Sequence, residues 1–246
     1  ECFARAKVMQ GSGRPFEFYI PEAVRSWGDW TAVNPATLRG LCSLAIAHGG
    51  RVTVNHVPIP TGSYGGRVFA PVYEALGECF RAVGEREALC AGKESLPVVA
   101  VLNSGASRRM QQAFELRQRL SEAAPPPQAD RALGLENVLL ALQVLSELKA
   151  PADVLWDEPP SDRWDEYELV VLPNVGYVAD ALADRIRRYV DGGGKLLATY
   201  HTSLLDARGL DRENFALADV FGADFTAPSP YSVIYLDRLD PTLGPS

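Results

Sequence analysis

Metal-centred chemistry has little to work with in this chain. Its three histidines are widely separated and its four cysteines include no CxxC pair, so no metal site is expected. Cys2, Cys42, Cys79 and Cys90 read instead as free thiols, in the core or on the surface. No apolar run approaches the roughly 20 residues of a spanning helix. The opening Glu1-Cys2-Phe3-Ala4-Arg5 lacks the basic stretch and apolar stretch of a secretory leader. These absences predict no membrane partner and a cytoplasmic location. The first residue is not Met, which reads as a piece cut from something longer. Positive charge is also short: 24 Lys and Arg stand against 31 Asp and Glu, a net charge of -7, which argues against nucleic acid as a partner. Neither GxGxxG nor GxxxxGK[ST] occurs, and no cofactor is expected.

What the chain does have is a clear βαβ signature from Tyr167 to Ser203. Leu169-Val170-Val171-Leu172 is a short continuous apolar run, the mark of a strand covered on both faces. Pro173 and Asn174 stop it. Leu182, Ile186, Tyr189 and Val190 then share one helical face, and Gly192-Gly193-Gly194 ends that helix. Lys195 to Tyr200 reads as a second buried strand, parallel to the first.

Upstream, residues 97–103, 110–122, 133–148 and 152–156 read as strand, helix, helix and strand, separated at residues 123–130 by a proline-rich connection. Downstream, a helix around 214–221 ends at Gly222, and 223–226 is a candidate last strand. From residue 94 to 246 the expectation is therefore a doubly wound parallel sheet of flavodoxin-like size. Residues 1–93 read differently. Phe16, Phe18 and Ile20 alternate with Glu17 and Tyr19, as in a strand with one apolar face. Asn34 and Pro35 open a helix running to His48, with Leu38, Leu41, Cys42 and Ala45 inward. Arg51 to Val57 is a strand, and a helix from about 68 to 86 turns Val72, Leu76 and Phe80 inward. This makes two (β/α) units, far short of the roughly 250 residues of a closed eight-stranded barrel.

Doubly wound sheets bind ligands at the carboxyl ends of their strands. There the loop Asn103-Ser104-Gly105-Ala106-Ser107 has small residues but no phosphate-binding signature. In class I glutamine amidotransferase-like folds a cysteine nucleophile sits on a sharp elbow after a strand. Here Tyr200 or His201 takes that place, and no cysteine follows Cys90, so a thiolate nucleophile is excluded from this region. In the first region Glu17, Glu22 and Asp29 are the carboxylates to weigh for glycosidic acid–base work, which needs a pair. Glu17, within its strand, is the catalytic candidate. Trp27 and Trp30 can form a sugar-stacking platform or, equally, a lid on the core. Asn55 and His56, at a strand end, are placed to hydrogen-bond a polar ligand.

RPFEFYIPE, WGDW, NPATLRGLCSLAIAHGG, RVTVNHVPIPTGSYGG and VYEALGECFRAVGERE together resemble the last part of the catalytic barrel of family 42 beta-galactosidases. GGRVTVNHVPIPTGSYGGRVF is also similar to the last barrel strand of alpha-L-fucosidases. From Leu96 onward, PVVAVLNS, ELVVLPNVGYVADALADRIRRYVDGGGKLLATYHTSLLD and ALADVFGADF resemble the beta-galactosidase trimerisation domain, an amidotransferase-like fold without amidotransferase chemistry. The resemblance implies an α/β chain. Residues 1–93 would form the last (β/α) units of a TIM-type barrel, and 94–246 the trimerisation-like module. It also implies a carbohydrate substrate for the parent protein and a homo-oligomer, a trimer. Family 42 enzymes carry a Met-Glu-Gln nucleophile on the strand corresponding to Phe16–Ile20. Here Ile20 aligns with that Glu and Glu17 is offset, while the acid–base residue falls upstream of residue 1. The expected role is structural and oligomeric, with an active beta-galactosidase- or alpha-L-fucosidase-type glycosidase as the alternative once the full barrel is present.

Overall fold

The computed structural model describes residues 2–21, 33–55, 70–96, 98–120, 133–158 and 161–228. Within them the chain is α/β and every ladder is parallel. It begins with helix α1 (Cys2–Gly11), strand β1 (Glu17–Pro21), helix α2 (Pro35–Ala47), strand β2 (Arg51–Asn55) and helix α3 (Ala70–Cys90). Strand β3 (Val99–Asn103), helices α4 (Gly105–Leu120) and α5 (Leu135–Glu147) and strand β4 (Ala152–Trp156) follow. Then come a 3-10 turn (Arg163–Glu166), β5 (Leu169–Leu172), α6 (Asp180–Asp191), β6 (Lys195–Ala198) and the short α7 (Ala218–Phe221). β1 and β2 form a two-stranded sheet, and the others a four-stranded sheet in the order β4-β3-β5-β6.

Both faces of the larger sheet are covered, which is why its inner strands are continuous apolar runs. Every residue of β3 is buried. Ala100, Leu102, Val170 and Leu172 face α6, packing with Ile186, Tyr189 and Trp164. Val99, Val101, Val154 and Val171 face the other way, against Val138 and Leu142 of α5 and Ala4 and Val8 of α1. The Tyr189 hydroxyl donates to the Tyr167 carbonyl at 3.0 Å. Its ring lies directly over Gly194, where any Cβ would collide with it, so the glycine turn is required by packing as well as by chain reversal. In the smaller unit Leu38, Cys42, Leu76 and Cys79 surround Ile20. The Asn34 side chain caps α2 by accepting from the Ala36 N–H at 2.8 Å.

The structure departs from expectation in several places. α4 begins at Gly105, so the small-residue loop Ser104–Ser107 is its first turn. Among the described residues β6 borders the sheet, and it alternates exposed with half-buried residues instead of being buried throughout. Phe80 points outward, 44% exposed, because Leu76 and Cys79 occupy the inner face of α3. The helix near residue 214 shrinks to Ala218–Phe221, and no strand forms over 223–226. His56 and Val57, expected to extend β2, lie outside the described residues.

The first helix has no counterpart in the sequence reading. α1 packs on β4 and α5 of the larger sheet and also touches α2. Gly11 sits so close to the Val154 backbone that a side chain there would strike its carbonyl. Lys7 is nine-tenths buried and holds Asp153 of β4 at 3.2 Å. The Trp156 indole N–H donates to the Val8 carbonyl at 3.3 Å. Toward the smaller unit, His48 Nδ1 meets Gln10 Oε1 at 3.1 Å, and Phe3 meets the His48 ring edge-on at 5.4 Å. α1 is therefore a strut bonded to both sheets' layers.

Candidate functional site

In the larger sheet the chain passes from β3 to β4 on one side, while β5 and then β6 lie on the other. The crevice between the carboxyl ends of β3 and β5 is thus the place where such sheets bind ligands. Helix α4 aims its N-terminus there, a ready site for an anion. The chain fills that site itself. Ser104 Oγ donates to Asp157 Oδ2 at 2.6 Å, and the Gly105 N–H donates to Asp157 Oδ1 at 2.7 Å. Asp157, just past β4, occupies the position a phosphate would take and would repel one.

The rest of the crevice is similarly self-bonded. Ser107 exchanges hydrogen bonds with the Tyr177 backbone, each 3.1 Å. Thr199 Oγ1 accepts from the Asn174 N–H at 3.0 Å, and Thr202 Oγ1 from the Val175 N–H at 3.2 Å. The Thr202 hydroxyl in turn reaches the Thr199 carbonyl at 2.7 Å. Asn174, Tyr200 and Ser203 all adopt left-handed backbone, with φ of 53°, 53° and 65°. Strained backbone of this kind persists only where its surroundings enforce it. At Tyr200 it preserves a sharp elbow after β6. The residue on the elbow is a tyrosine, 69% exposed, its ring 3.9 Å from that of His201. Asn103, fully buried at the end of β3, has no hydrogen-bond partner for either side-chain amide atom among the described residues.

A larger cleft, about 980 Å³, lies where the end of α1, residues 93–95 and β4 meet. Asp153 and Tyr167 are on its wall. The Lys7 ammonium, the Asp153 carboxylate and the Tyr167 hydroxyl form a connected cluster there, with Tyr167 donating to Asp153 at 3.2 Å and Lys7 to Ser95 Oγ at 2.9 Å. Burial and the Asp153 charge push the Tyr167 phenol well up, so it remains a donor. This cluster joins α1 to the sheet.

The sequence-predicted residues are only partly brought together. Glu17 is exposed at the first residue of β1 and accepts from Thr53 Oγ1 at 2.9 Å. Barrels build their sites at the opposite, carboxyl ends of strands. Asn55 is at such an end, the last residue of β2, half-buried and in register with Pro21. Trp27, Trp30 and His56, and likewise Glu22 and Asp29, lie outside the described residues. All four cysteines are free, Cys42 and Cys79 buried. Among the described residues no group of three or more His, Cys, Asp or Glu could hold a metal. No helix of theirs is long and apolar enough to cross a membrane.

Residues 143–225 match the beta-galactosidase trimerisation domain. The beta-galactosidase BglY of Alicyclobacillus acidocaldarius subsp. acidocaldarius is 30% identical over 219 residues, 78% of this chain and 28% of that protein. BbgII, a beta-galactosidase of Bifidobacterium bifidum, is 39% identical over 64 residues, 26% of this chain and 9% of that protein. Among solved structures, a beta-galactosidase from Bacillus circulans sp. alkalophilus superposes with a TM-score of 0.68 at 18% identity, over 89% of this chain and 33% of that one. An alpha-L-fucosidase isoenzyme 2 from Paenibacillus thiaminolyticus gives 0.61 at 23% identity, over 81% and 27%. The two structures speak to the fold. The chain resembles part of family 42 beta-galactosidases, trimerisation domain included, and spans under a third of the length of the curated relatives it matches.

Proposed function

We propose that this chain is the non-catalytic, oligomerising portion of a carbohydrate-active glycoside hydrolase. Residues 1–93 would supply the last (β/α) units of a TIM-type barrel, and 94–246 a flavodoxin-like, amidotransferase-like trimerisation module. The observation that carries the reading is the match of residues 143–225 to the trimerisation domain. Two features of the structure support it. The sheet order, second-first-third-fourth by sequence, is how flavodoxin-like sheets begin. The crevice that would hold a cofactor or a nucleophile is occupied by Asp157 and bears Tyr200 on its elbow. On this reading the partners are further copies of the chain, as a trimer, and the carbohydrate substrate of the parent protein, with neither nucleic acid nor membrane involved. A cytoplasmic location goes with it and is checked by cell fractionation. The chain alone should leave nitrophenyl β-galactoside and α-L-fucoside intact, and turnover of either would overturn the non-catalytic assignment.

A second reading is an active beta-galactosidase- or alpha-L-fucosidase-type enzyme once the whole barrel is present. Its site would use Glu17 as the catalytic carboxylate, with Trp27, Trp30, Asn55 and His56 around the sugar. Asn55, at the carboxyl end of β2, favours it, whereas Glu17 lies at the other end of its strand and is bonded to Thr53. In the full-length protein Glu17→Gln discriminates: a loss of about a thousandfold or more in kcat fits a catalytic Glu17, and a change within a few-fold removes it from the site.

A further inference from the structure

The larger sheet unit carries two exposed apolar surfaces, one on a covering helix and one along a strand. On one face α5, which packs against β3 and β4, buries Val138 and Leu142 in the core. Its far side is also apolar: Leu140, Val144 and Leu148 are 61%, 47% and 71% exposed, and their i, i+4, i+8 spacing puts them on one face. A helix apolar on both sides is a buried helix. At the border of the sheet, β6 pairs only with β5 among the described residues. Leu197 and Tyr200 are 50% and 69% exposed there, beside a shallow groove of about 370 Å³ walled by Leu196, Phe215 and Phe221. An apolar border strand is a template for association unless it is covered.

We infer that these two surfaces meet each other between copies of this chain, the α5 stripe of one subunit against the β6 border of the next. The inference rests on the trimer reading above and deepens it. A closed ring of three subunits uses a heterologous contact, two different patches on each subunit, whereas a two-fold dimer needs one self-complementary patch. This chain offers two unlike apolar patches, one on the outer side of α5 and one along β6. Val144, Leu148, Leu197 and Tyr200 all fall within residues 143–225, the span matching the trimerisation domain.

The test uses two variants of the full chain, Val144→Glu and Leu197→Glu, both at exposed positions. Each spoils one patch and leaves the other. Each variant alone should be monomeric by light scattering at concentrations where the parent chain is a trimer. Mixed one to one, they should form a dimer and stop there, because one variant's intact α5 stripe can still meet the other's intact β6 border. Persistence of the trimer in either variant, or a mixture that stays monomeric, overturns the pairing. A parent chain that is itself monomeric throughout defeats the oligomer reading instead, so the two failures are distinguishable. Should a variant fail to fold, Val144→Cys and Leu197→Cys in a background of Cys2→Ser and Cys90→Ser decide. Oxidation should link subunits into dimers and trimers only when both new cysteines are present. Absence of such links in a trimeric sample overturns the pairing.

Discussion

Replacing Lys7 by Met is the sharpest perturbation of the strut that ties α1 to the sheet. The Lys7 and Asp153 side chains are 11% and 8% exposed, with nitrogen and oxygen 3.2 Å apart. At an effective dielectric of about 20, that separation corresponds to an attraction of about 5 kcal/mol before desolvation is subtracted. Removing one partner of a buried pair leaves the other charge uncompensated, typically at about 3–5 kcal/mol. The neighbouring cleft admits water to one side of Asp153, so about 2–4 kcal/mol is expected for Lys7→Met. With a urea slope of about 3 kcal/mol per molar, the midpoint should fall by about 1 M. Asp153→Asn added to Lys7→Met removes the stranded charge while keeping an acceptor for the Tyr167 hydroxyl, and should recover at least half of the loss. A Lys7→Met midpoint within about 0.2 M of the parent, or a double variant no better than the single, would refute the argument that this pair fastens α1.

Other predictions follow from the same geometry. Burial, with Lys7 nearby, lowers the His48 imidazole from 6.5 to about 4. A folded value below the unfolded one means that His48 contributes its stability above pH 6.5 and loses it as pH falls toward 4. Allowing for its partial exposure, about 1–2 kcal/mol should disappear between urea melts at pH 7 and pH 4.5, and His48→Gln should flatten that difference. Asp157→Ala should cost about 1–2 kcal/mol by freeing the α4 N-terminus, while the unaltered chain should show no calorimetric heat with flavin mononucleotide because Asp157 already occupies the anion position. Burial pushes the Cys42 thiol up to about 11 and raises that of Cys79. A thiol reagent at pH 8 should therefore label Cys2 and Cys90 in the native chain, and Cys42 and Cys79 only after unfolding.

Where local chemistry and tertiary environment agree, the sequence was legible. β4 and β5 fall at 152–156 and 169–172 as their apolar runs predict, because both are covered on two faces. α2 starts at the Asn34–Pro35 signal because its cap bond is local. What was illegible depends on distant partners. α1 has no apolar stripe of its own; it is held by a lysine, two small residues and Val8 against a strand about 150 residues away, which no periodicity could reveal. α4 starts early because Asp157, beyond the next strand, caps it. β6 looks like a buried strand in sequence, yet among the described residues it borders the sheet and leaves Leu197 half exposed. The crevice at the carboxyl ends of the strands was expected from the doubly wound pattern. Its filling by Asp157, Thr199 and Thr202 was not, since those residues meet only through the sheet order.

The most direct test of the oligomeric account is the mass of this chain by light scattering over a hundredfold range of concentration. The account predicts three times the 26.7 kDa chain mass at the upper concentrations, falling toward one chain on dilution. A mass that stays at one chain across the whole range would contradict it.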